Sequence, residues 1–176
     1  MAKNQLVLAF FENEAAADAA VESLKKWGKA GKEIKRDAVA ILVKDEHGKI
    51  KEHKLGKRGT KTGAVVGALV GVLSGGVTVL GGAIVGGILG SFFHKGLGLS
   101  KDDLARIDGE LYSGKAAVAV LAKSKELDDV TAKLTKLGGI AETHKVSDGA
   151  LEEAVTAANA LSDETPVEEP VVVPAV

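Results

Sequence analysis

An uncharged stretch of 32 residues, 62–93, lies in the middle of the chain and contains ten glycines. A glycine costs a helix up to about 1 kcal/mol relative to alanine, so a helix this rich in glycine needs close packing to form. Many of these glycines recur every four residues, which places them one above another on one face of a helix. Such a smooth face lets two backbones approach closely, as in pairs of membrane helices. The glycines with this spacing are Gly63, Gly67, Gly71, Gly75, Gly82, Gly86 and Gly90.

The length of the stretch predicts a hairpin of two helices. A single helix of 32 residues would be about 48 Å long, against roughly 30 Å for the hydrocarbon core of a bilayer. Gly75-Gly76 and Gly81-Gly82 flank the middle of the stretch, where glycine makes a turn easy. Two arms of about 15 residues, each roughly 22 Å long, fit better. We place this glycine-zipper hairpin at residues 62–95.

Three surroundings are compatible with the stretch: a membrane entered from the cytoplasmic side, the interior of a soluble assembly, and a flexible loop. The regular spacing argues against the loop, because a linker has no reason to keep a period of four. In a membrane, the basic residues on both flanks would stay on the cytoplasmic side and contact anionic lipid headgroups. We call these residues the basic collar: Lys54, Lys57, Arg58, Lys61 and Lys95.

Charge is unevenly distributed, although the net charge is only −1. Residues 1–146 carry 23 basic and 17 acidic side chains, a net of +6, whereas residues 147–176 carry seven acidic side chains and no basic one. Much of the positive excess lies between Lys44 and Lys61. This region could meet anionic lipid, nucleic acid or the chain's own acidic tail, or it could be a solvated face.

Apolar periodicity on both sides of the stretch predicts two β-α-β units. Asn13 is placed to cap the first helix, and Ser100 with Asp103 three residues later is an acceptable capping box for another. A polar, alternating segment at 49–55 is typical of an edge strand. The predicted strands are 6–11, 38–43, 49–55, 116–122 and 140–146, and the predicted helices follow Asn13, follow Ser100 and span 127–137.

Two such units predict an α+β fold, a ferredoxin-like sandwich whose discontinuous domain comprises residues 4–61 and 96–146. The helices of that sandwich cover one face of the sheet. Because the central strands are apolar on both faces, the second face should also be covered, most simply by a second subunit. We therefore expect a homodimer or a larger assembly.

The C-terminal region divides into two predicted parts. Residues 147–162 have apolar residues on one stripe of an amphipathic helix. Residues 163–176 form an acidic, extended tail that contains three prolines and a run of valines. The tail is either disordered or docks on a neighbour through its valines.

The sequence predicts no enzyme, no cofactor, no metal site and no small-molecule substrate. Without cysteine, disulfides, thiol catalysis and cysteine-based metal sites are excluded. A Lys-Thr pair at 61–62 resembles part of a phosphate-binding loop, but Leu55 and Thr60 stand where that motif needs glycine. The four histidines are scattered without metal-site spacing. The sheet strands lack the exposed aromatics that stack RNA bases, so we expect no specific nucleic acid.

Three segments carry a family resemblance: LVLAFFENEAAADAAVESL, KLGKRGTKTGAVVGALVG and LSKDDLARIDGELYSGKAAVAVLA. They make the chain similar to a bacterial family of uncharacterised proteins labelled as predicted membrane proteins or general-stress-type proteins. The resemblance covers roughly residues 4–146 and leaves the acidic tail outside. It implies a small α+β domain interrupted by a glycine-zipper hairpin and a stress-related role, with no catalytic residues to assign.

These observations predict a non-enzymatic, self-associating protein at the cytoplasmic face of a membrane. Its expected partners are further copies of itself and membrane lipid. The alternative is a soluble cytoplasmic homo-oligomer, a ring, shell or cage that buries its hairpins in the interior.

Overall fold

The structure, a computed structural model, describes residues 4–29, 39–47, 50–54, 65, 67, 69, 79–80, 83–84, 98–149 and 152. It is a mixed α+β fold built on an antiparallel sheet. The strands are β1 Asn4–Phe11, β2 Val39–Lys44, β3 Ile50–Lys54, β4 Val79–Leu80, β5 Ala83–Ile84, β6 Ala116–Lys123 and β7 Ile140–Lys145. The three longer helices are α1 Glu14–Lys29, α2 Lys101–Tyr112 and α3 Leu127–Lys136.

The main sheet contains five strands in the order β3-β2-β6-β1-β7. Neighbouring strands are antiparallel throughout. Strand β1 lies between β6 and β7, which explains why its six residues from Leu6 to Phe11 are all buried. The polar segment predicted as an edge strand is confirmed, because β3 lies at one edge of the sheet.

Alternate residues of β1 point to opposite faces of the sheet and enter two separate cores. Val7, Ala9 and Phe11 pack with buried residues of α1 and α3. Leu6, Leu8 and Phe10 pack with Ile107 and Leu111 of α2 on the other face. Four apolar residues of α1 at helical spacing are buried in the first of these cores: Ala17, Ala20, Val21 and Leu24.

The second sheet face is covered, as expected, but the cover comes from the same chain and not from a second subunit. Helix α2 covers that face within the same chain, together with the helical residues Val65 and Leu69. A partner was expected because a ferredoxin-like sandwich carries helices on one face of its sheet alone. Apolar character on both faces of the strands therefore gives no reason by itself to expect a dimer.

Local signals set the start of α1 and the end of α3. The Asn13 Oδ1 atom accepts a hydrogen bond from the Ala16 amide at 2.9 Å, which caps α1. Gly138, at φ 94°, follows α3, and the Gly139 amide donates to the Leu134 carbonyl at 3.1 Å. A left-handed glycine of this kind satisfies carbonyls that the last turn of a helix leaves unpaired.

A complete capping box starts α2. The Asp103 amide donates to Ser100 Oγ at 3.0 Å, and the Ser100 amide donates to Asp103 Oδ2 at 2.9 Å. The Ser100 hydroxyl also donates to Asp103 Oδ2 at 2.7 Å. The hydrogen bonds to the Ser100 side chain and backbone, of which the side-chain bond has the larger effect, hold the pKa of the Asp103 carboxyl below its usual range.

Replacing Ser100 by alanine is expected to lower the free energy of unfolding by about 1 kcal/mol near neutral pH, because the cap is lost. The carboxylate of Asp103 is stabilised in the folded state, so its contribution is present at neutral pH and lost as the pH falls through its depressed pKa. The alanine variant should therefore lose less stability on acidification than the parent. Urea denaturation at several pH values measures both effects. The Ser100→Thr variant keeps the hydroxyl and should retain most of the stability; equal losses from alanine and threonine would contradict the cap.

Candidate functional site

The described part of the predicted hairpin begins on the surface of the sheet. Val65, Gly67 and Leu69 are helical. Val65 and Leu69 are completely buried and belong to the core on the α2 side of the sheet. Residues four apart lie on one side of a helix, so both side chains anchor the same helical face to the domain.

Gly67 lies on the opposite side of that helix, since it is two residues from each buried neighbour. It is half-buried, and a β-carbon built on it meets no atom within 4 Å. Gly67 is the one glycine of the predicted helix-packing face that the structure describes. At this residue the small-residue face therefore points away from the sheet.

The chain reverses direction farther along the hydrophobic stretch. Strands β4 and β5 pair antiparallel, with Val79 opposite Ile84 and Leu80 opposite Ala83. The reversal lies between Leu80 and Ala83, near the middle of the stretch where the sequence predicts a turn. Short strands occur at 79–80, where a turn was predicted, and at 83–84, where the second helical arm was predicted.

Most of the predicted site residues lie outside the described part of the chain. Strand β3 ends at Lys54, so the backbone of that collar residue is at an end of the edge strand. The predicted site residues outside the described ranges are Gly63, Gly71, Gly75, Gly82, Gly86, Gly90, Lys57, Arg58, Lys61 and Lys95. The helix predicted at 147–162 is described as helical at 148, 149 and 152, and the tail at 163–176 lies outside the described residues.

The chain leaves the domain and returns to it at the same end of the sheet. Lys54 pairs with Ala40 near the start of β2, and Lys145 pairs with Gln5 near the start of β1. Gly98 lies against Lys145: a β-carbon built on this glycine would be 2.5 Å from the Lys145 carbonyl oxygen. The segment between Lys54 and Gly98 thus starts and finishes at the same end of the strands, although β3 and β7 form the two opposite edges of the sheet.

A polar network joins α2 to β7 beside this return point. Arg106 Nη2 is 2.6 Å from Glu142 Oε2 and 3.6 Å from Asp103 Oδ1. The other carboxylate oxygen of Glu142 is 2.9 Å from His144 Nε2. The hydrogen bond and charge of Glu142 raise the pKa of the Arg106 guanidinium, which therefore stays charged over the whole accessible pH range.

Sequence reasoning missed this network because its members come from distant parts of the chain. The available signal was the spacing of Glu142 and His144, which places both side chains on one face of a strand. Lys44 also differs from expectation. It belongs to the basic region of the sequence, but its side chain is only 12% exposed and its Nζ atom lies 2.8 Å from Asp108 Oδ1 on α2. Its charge is therefore paired within the domain.

Within the part of the chain that the structure describes, no group of three or more His, Asp or Glu side chains is arranged to hold a metal ion. None of the helices in the same ranges combines the length and apolar character that crossing a bilayer needs.

The sequence profile of a family described as protein of unknown function, DUF1269, matches residues 59–157. The match spans the whole hydrophobic stretch, α2, β6, α3 and β7. It starts later than the resemblance drawn from the sequence, which began at residue 4, and it continues past residue 146. No curated protein and no solved structure shows significant similarity to the chain. Since the profile covers more than half of its length, the chain belongs to the DUF1269 family of uncharacterised proteins.

Proposed function

We propose that this protein is a non-enzymatic, self-associating protein that acts at the cytoplasmic face of a membrane through its glycine-rich hairpin. The main support is the orientation of the first arm, in which Val65 and Leu69 face the sheet and Gly67 faces away from it. The row of small residues that includes Gly67 is then directed towards another helix, either the second arm or a second copy. A stress-related role is supported by the family resemblance alone.

The burial of Leu69 limits how deeply the hairpin can enter a membrane. If the arm stays on the sheet as far as Leu69, only residues 70–93 are free to insert. The reversal between Leu80 and Ala83 divides these residues into two parts. Each part has about 11 residues and would be roughly 17 Å long as a helix. That length reaches about halfway through a hydrocarbon core of roughly 30 Å. The proposal is therefore insertion into one leaflet, with the basic collar at the headgroups.

The same burial favours a second candidate function. An arm that begins by packing on protein is also suited to the interior of a soluble homo-oligomer, such as a ring, shell or cage. In that assembly the small-residue faces of neighbouring hairpins would pack against one another by van der Waals contact.

We further propose that the domain is ferredoxin-like. The support is its two β-α-β units, β1-α1-β2 and β6-α3-β7, and the antiparallel order β2-β6-β1-β7 within the sheet. Strand β3 adds a further edge to this arrangement, and α2 adds cover on the second face.

The double variant Gly67→Leu with Gly86→Leu tests the small-residue seam. Leucine at both positions should keep the packed helices apart and weaken their association by about 1–3 kcal/mol for each substitution. The protein concentration needed for assembly should therefore rise about tenfold or more. Native mass spectrometry and flotation with vesicles of phosphatidylcholine and phosphatidylglycerol measure assembly and membrane binding. Gly109→Leu is the matched control, since Gly109 lies on an exposed helix surface where a β-carbon also meets no atom within 4 Å.

The outcomes separate the two candidates. Flotation of the parent protein, lost in the double variant, supports the membrane function. A discrete large particle that stays in the supernatant without detergent, and that dissociates in the double variant, supports the soluble assembly. Unchanged mass and unchanged flotation in the double variant would contradict both.

A further inference from the structure

Strand β7 forms one edge of the described sheet and pairs with β1 on its inner side. An edge strand presents backbone N–H and C=O groups to which a strand of another chain can pair, and proteins often prevent this with a proline or a bulge. The sequence of β7, IAETHK, contains no proline. Its register with β1 runs without interruption from Gln5 to Phe10, so there is no bulge. The edge is therefore a continuous template six residues long.

One hydrogen bond at the end of β7 shows which of its backbone groups face outwards. The Val146 amide donates to the Asn4 carbonyl at 3.4 Å, so these opposite residues form a hydrogen-bonded pair. Hydrogen-bonded and non-hydrogen-bonded pairs alternate along an antiparallel ladder. The even-numbered residues of β7 therefore bond to β1. The odd-numbered residues, Ala141, Thr143 and Lys145, direct their N–H and C=O groups to the outer edge.

The side chain of Ile140 adds an apolar group to the same edge. Ile140 is 72% exposed, and it is one of the two large apolar residues that are exposed in the described part of the chain. It lies opposite Phe10, so its side chain is on the α2 side of the sheet. A partner strand at this edge would remove apolar surface of Ile140 from water, which favours pairing.

We propose that β7 is a dimerisation edge, at which two copies of this chain pair their β7 strands antiparallel and join the two five-stranded sheets into one. Opposite residues of an antiparallel pair point to the same face. A two-fold axis perpendicular to the sheet therefore passes through a residue, not between two, and the central residues of β7 are Glu142 and Thr143. An axis at Glu142 would place two carboxylates directly opposite each other, which is destabilising.

An axis at Thr143 makes the two strands complementary. Thr143 then lies opposite Thr143 of the partner subunit, which is a favourable cross-strand pair. Ala141 lies opposite the partner's Lys145, and Glu142 opposite the partner's His144. All three outward-facing residues form hydrogen-bonded pairs in this register, and each such pair exchanges two bonds. An axis at Glu142 would pair only two of these residues within β7. The dimerisation edge goes beyond the proposed function, because it requires neither the glycine face nor a membrane.

Single cysteines in the full chain test the pairing and its register, because the chain has no cysteine of its own. Dibromobimane becomes fluorescent when it bridges two nearby thiols. Thr143→Cys should be cross-linked to its own copy. Ala141→Cys and Lys145→Cys should not be cross-linked alone, because each lies four residues from its symmetry copy, about 14 Å along the strand. The two variants should be cross-linked after they are mixed and allowed to exchange subunits.

The Thr135→Cys variant is the matched control, because Thr135 is exposed on α3 and lies outside β7. It should not be cross-linked. Cross-linking of Ala141→Cys or Lys145→Cys alone, or no cross-linking of Thr143→Cys, would overturn the proposed pairing.

A proline at residue 143 tests the backbone bonds. The Thr143 amide faces outwards, so Thr143→Pro leaves the bonds to β1 in place but removes both amide donors of the central pair. The dissociation constant of the dimer should rise about tenfold or more, as for two lost hydrogen bonds. Thr143→Val keeps the amide and should dimerise as the parent does. Sedimentation equilibrium measures both. An unchanged constant in the proline variant would overturn the pairing; if that variant does not fold, the cysteine pattern decides.

The Thr143→Cys experiment is repeated in the Gly67→Leu, Gly86→Leu background to separate the two kinds of association. Cross-linking that persists there supports the dimerisation edge independently of the glycine face. Cross-linking that is lost there would overturn the edge as an interface in its own right. Loss of flotation in the double variant, with cross-linking absent from both backgrounds, would overturn the edge and leave the proposed function standing.

Discussion

The Gly98→Ala variant is expected to lose about 2–4 kcal/mol of its free energy of unfolding. Gly98 has a φ of +62°, a left-handed conformation that costs a residue with a β-carbon roughly 1–2 kcal/mol. The added β-carbon would also lie 2.5 Å from the carbonyl oxygen and 3.1 Å from the amide nitrogen of Lys145. These are backbone atoms of β7, which pairs with β1, so relief requires moving a strand of the sheet. Urea denaturation of parent and variant measures the loss.

Gly114→Ala separates the two causes. Gly114 has a φ of +88°, but a β-carbon built on it meets no atom within 4 Å. Its replacement should therefore cost only the conformational part, about 1–2 kcal/mol. Similar losses in the two variants would mean that the contact between residue 98 and β7 contributes nothing to the loss of stability. That result would contradict the close packing of Gly98 against the Lys145 backbone.

The parts of the fold that the sequence predicted are those governed by local periodicity. Strands β1 and β6 were recognisable because each is a continuous apolar run, and both lie in the middle of the sheet. Helix α3 was recognisable because Val130 and Leu134 are one turn apart, and both are buried. The caps at Asn13 and Ser100 depend on residues three positions apart, so a single sequence contains the whole signal.

Contacts between residues that are distant in sequence could not be predicted in the same way. Lys44 and Asp108 form an ion pair across 64 positions, and that pair removes a charge from the expected basic surface. Arg106 and Glu142 meet only because α2 crosses the sheet face near β7. Helix α2 itself begins directly after Ser100, as predicted, but nothing local indicates which face of the sheet it covers.

Covering of the second face from within the chain changes the basis for expecting self-association. The apolar residues Leu6, Leu8 and Phe10 are buried without a partner subunit. Any assembly must then be built on surfaces that the domain does not use for its own core. The glycine face of the first arm is such a surface at Gly67, where the described structure leaves room for a β-carbon. The case for assembly therefore depends on the hydrophobic stretch and on the sheet edge rather than on the sheet faces.

Substitutions at Leu69 and Gly67 are expected to have effects of opposite sign, although the two residues are only two positions apart. Leu69 is completely buried against the sheet, so Leu69→Ala should lower the free energy of unfolding by about 2–5 kcal/mol through lost contacts and a cavity. Gly67→Ala should raise it by up to about 1 kcal/mol, because alanine favours the helix and its β-carbon meets no neighbour. Urea denaturation at low protein concentration, where assembly does not contribute, measures both.

The pair of variants also decides how much of the hairpin belongs to the domain. A large loss from Leu69→Ala, combined with a gain from Gly67→Ala, means that the first arm is helical and packed on the sheet as far as Leu69, so that insertion into lipid begins beyond it. If Leu69→Ala leaves the stability unchanged, the arm is not anchored to the sheet in solution, and its full length becomes available to a membrane. If Gly67→Ala is strongly destabilising, its β-carbon meets another part of the same chain, which would contradict the open space beside Gly67 and favour the second arm over a second copy as the partner of the glycine face. An unchanged stability in Leu69→Ala would contradict the orientation of the first arm, and with it the main support for the proposed function.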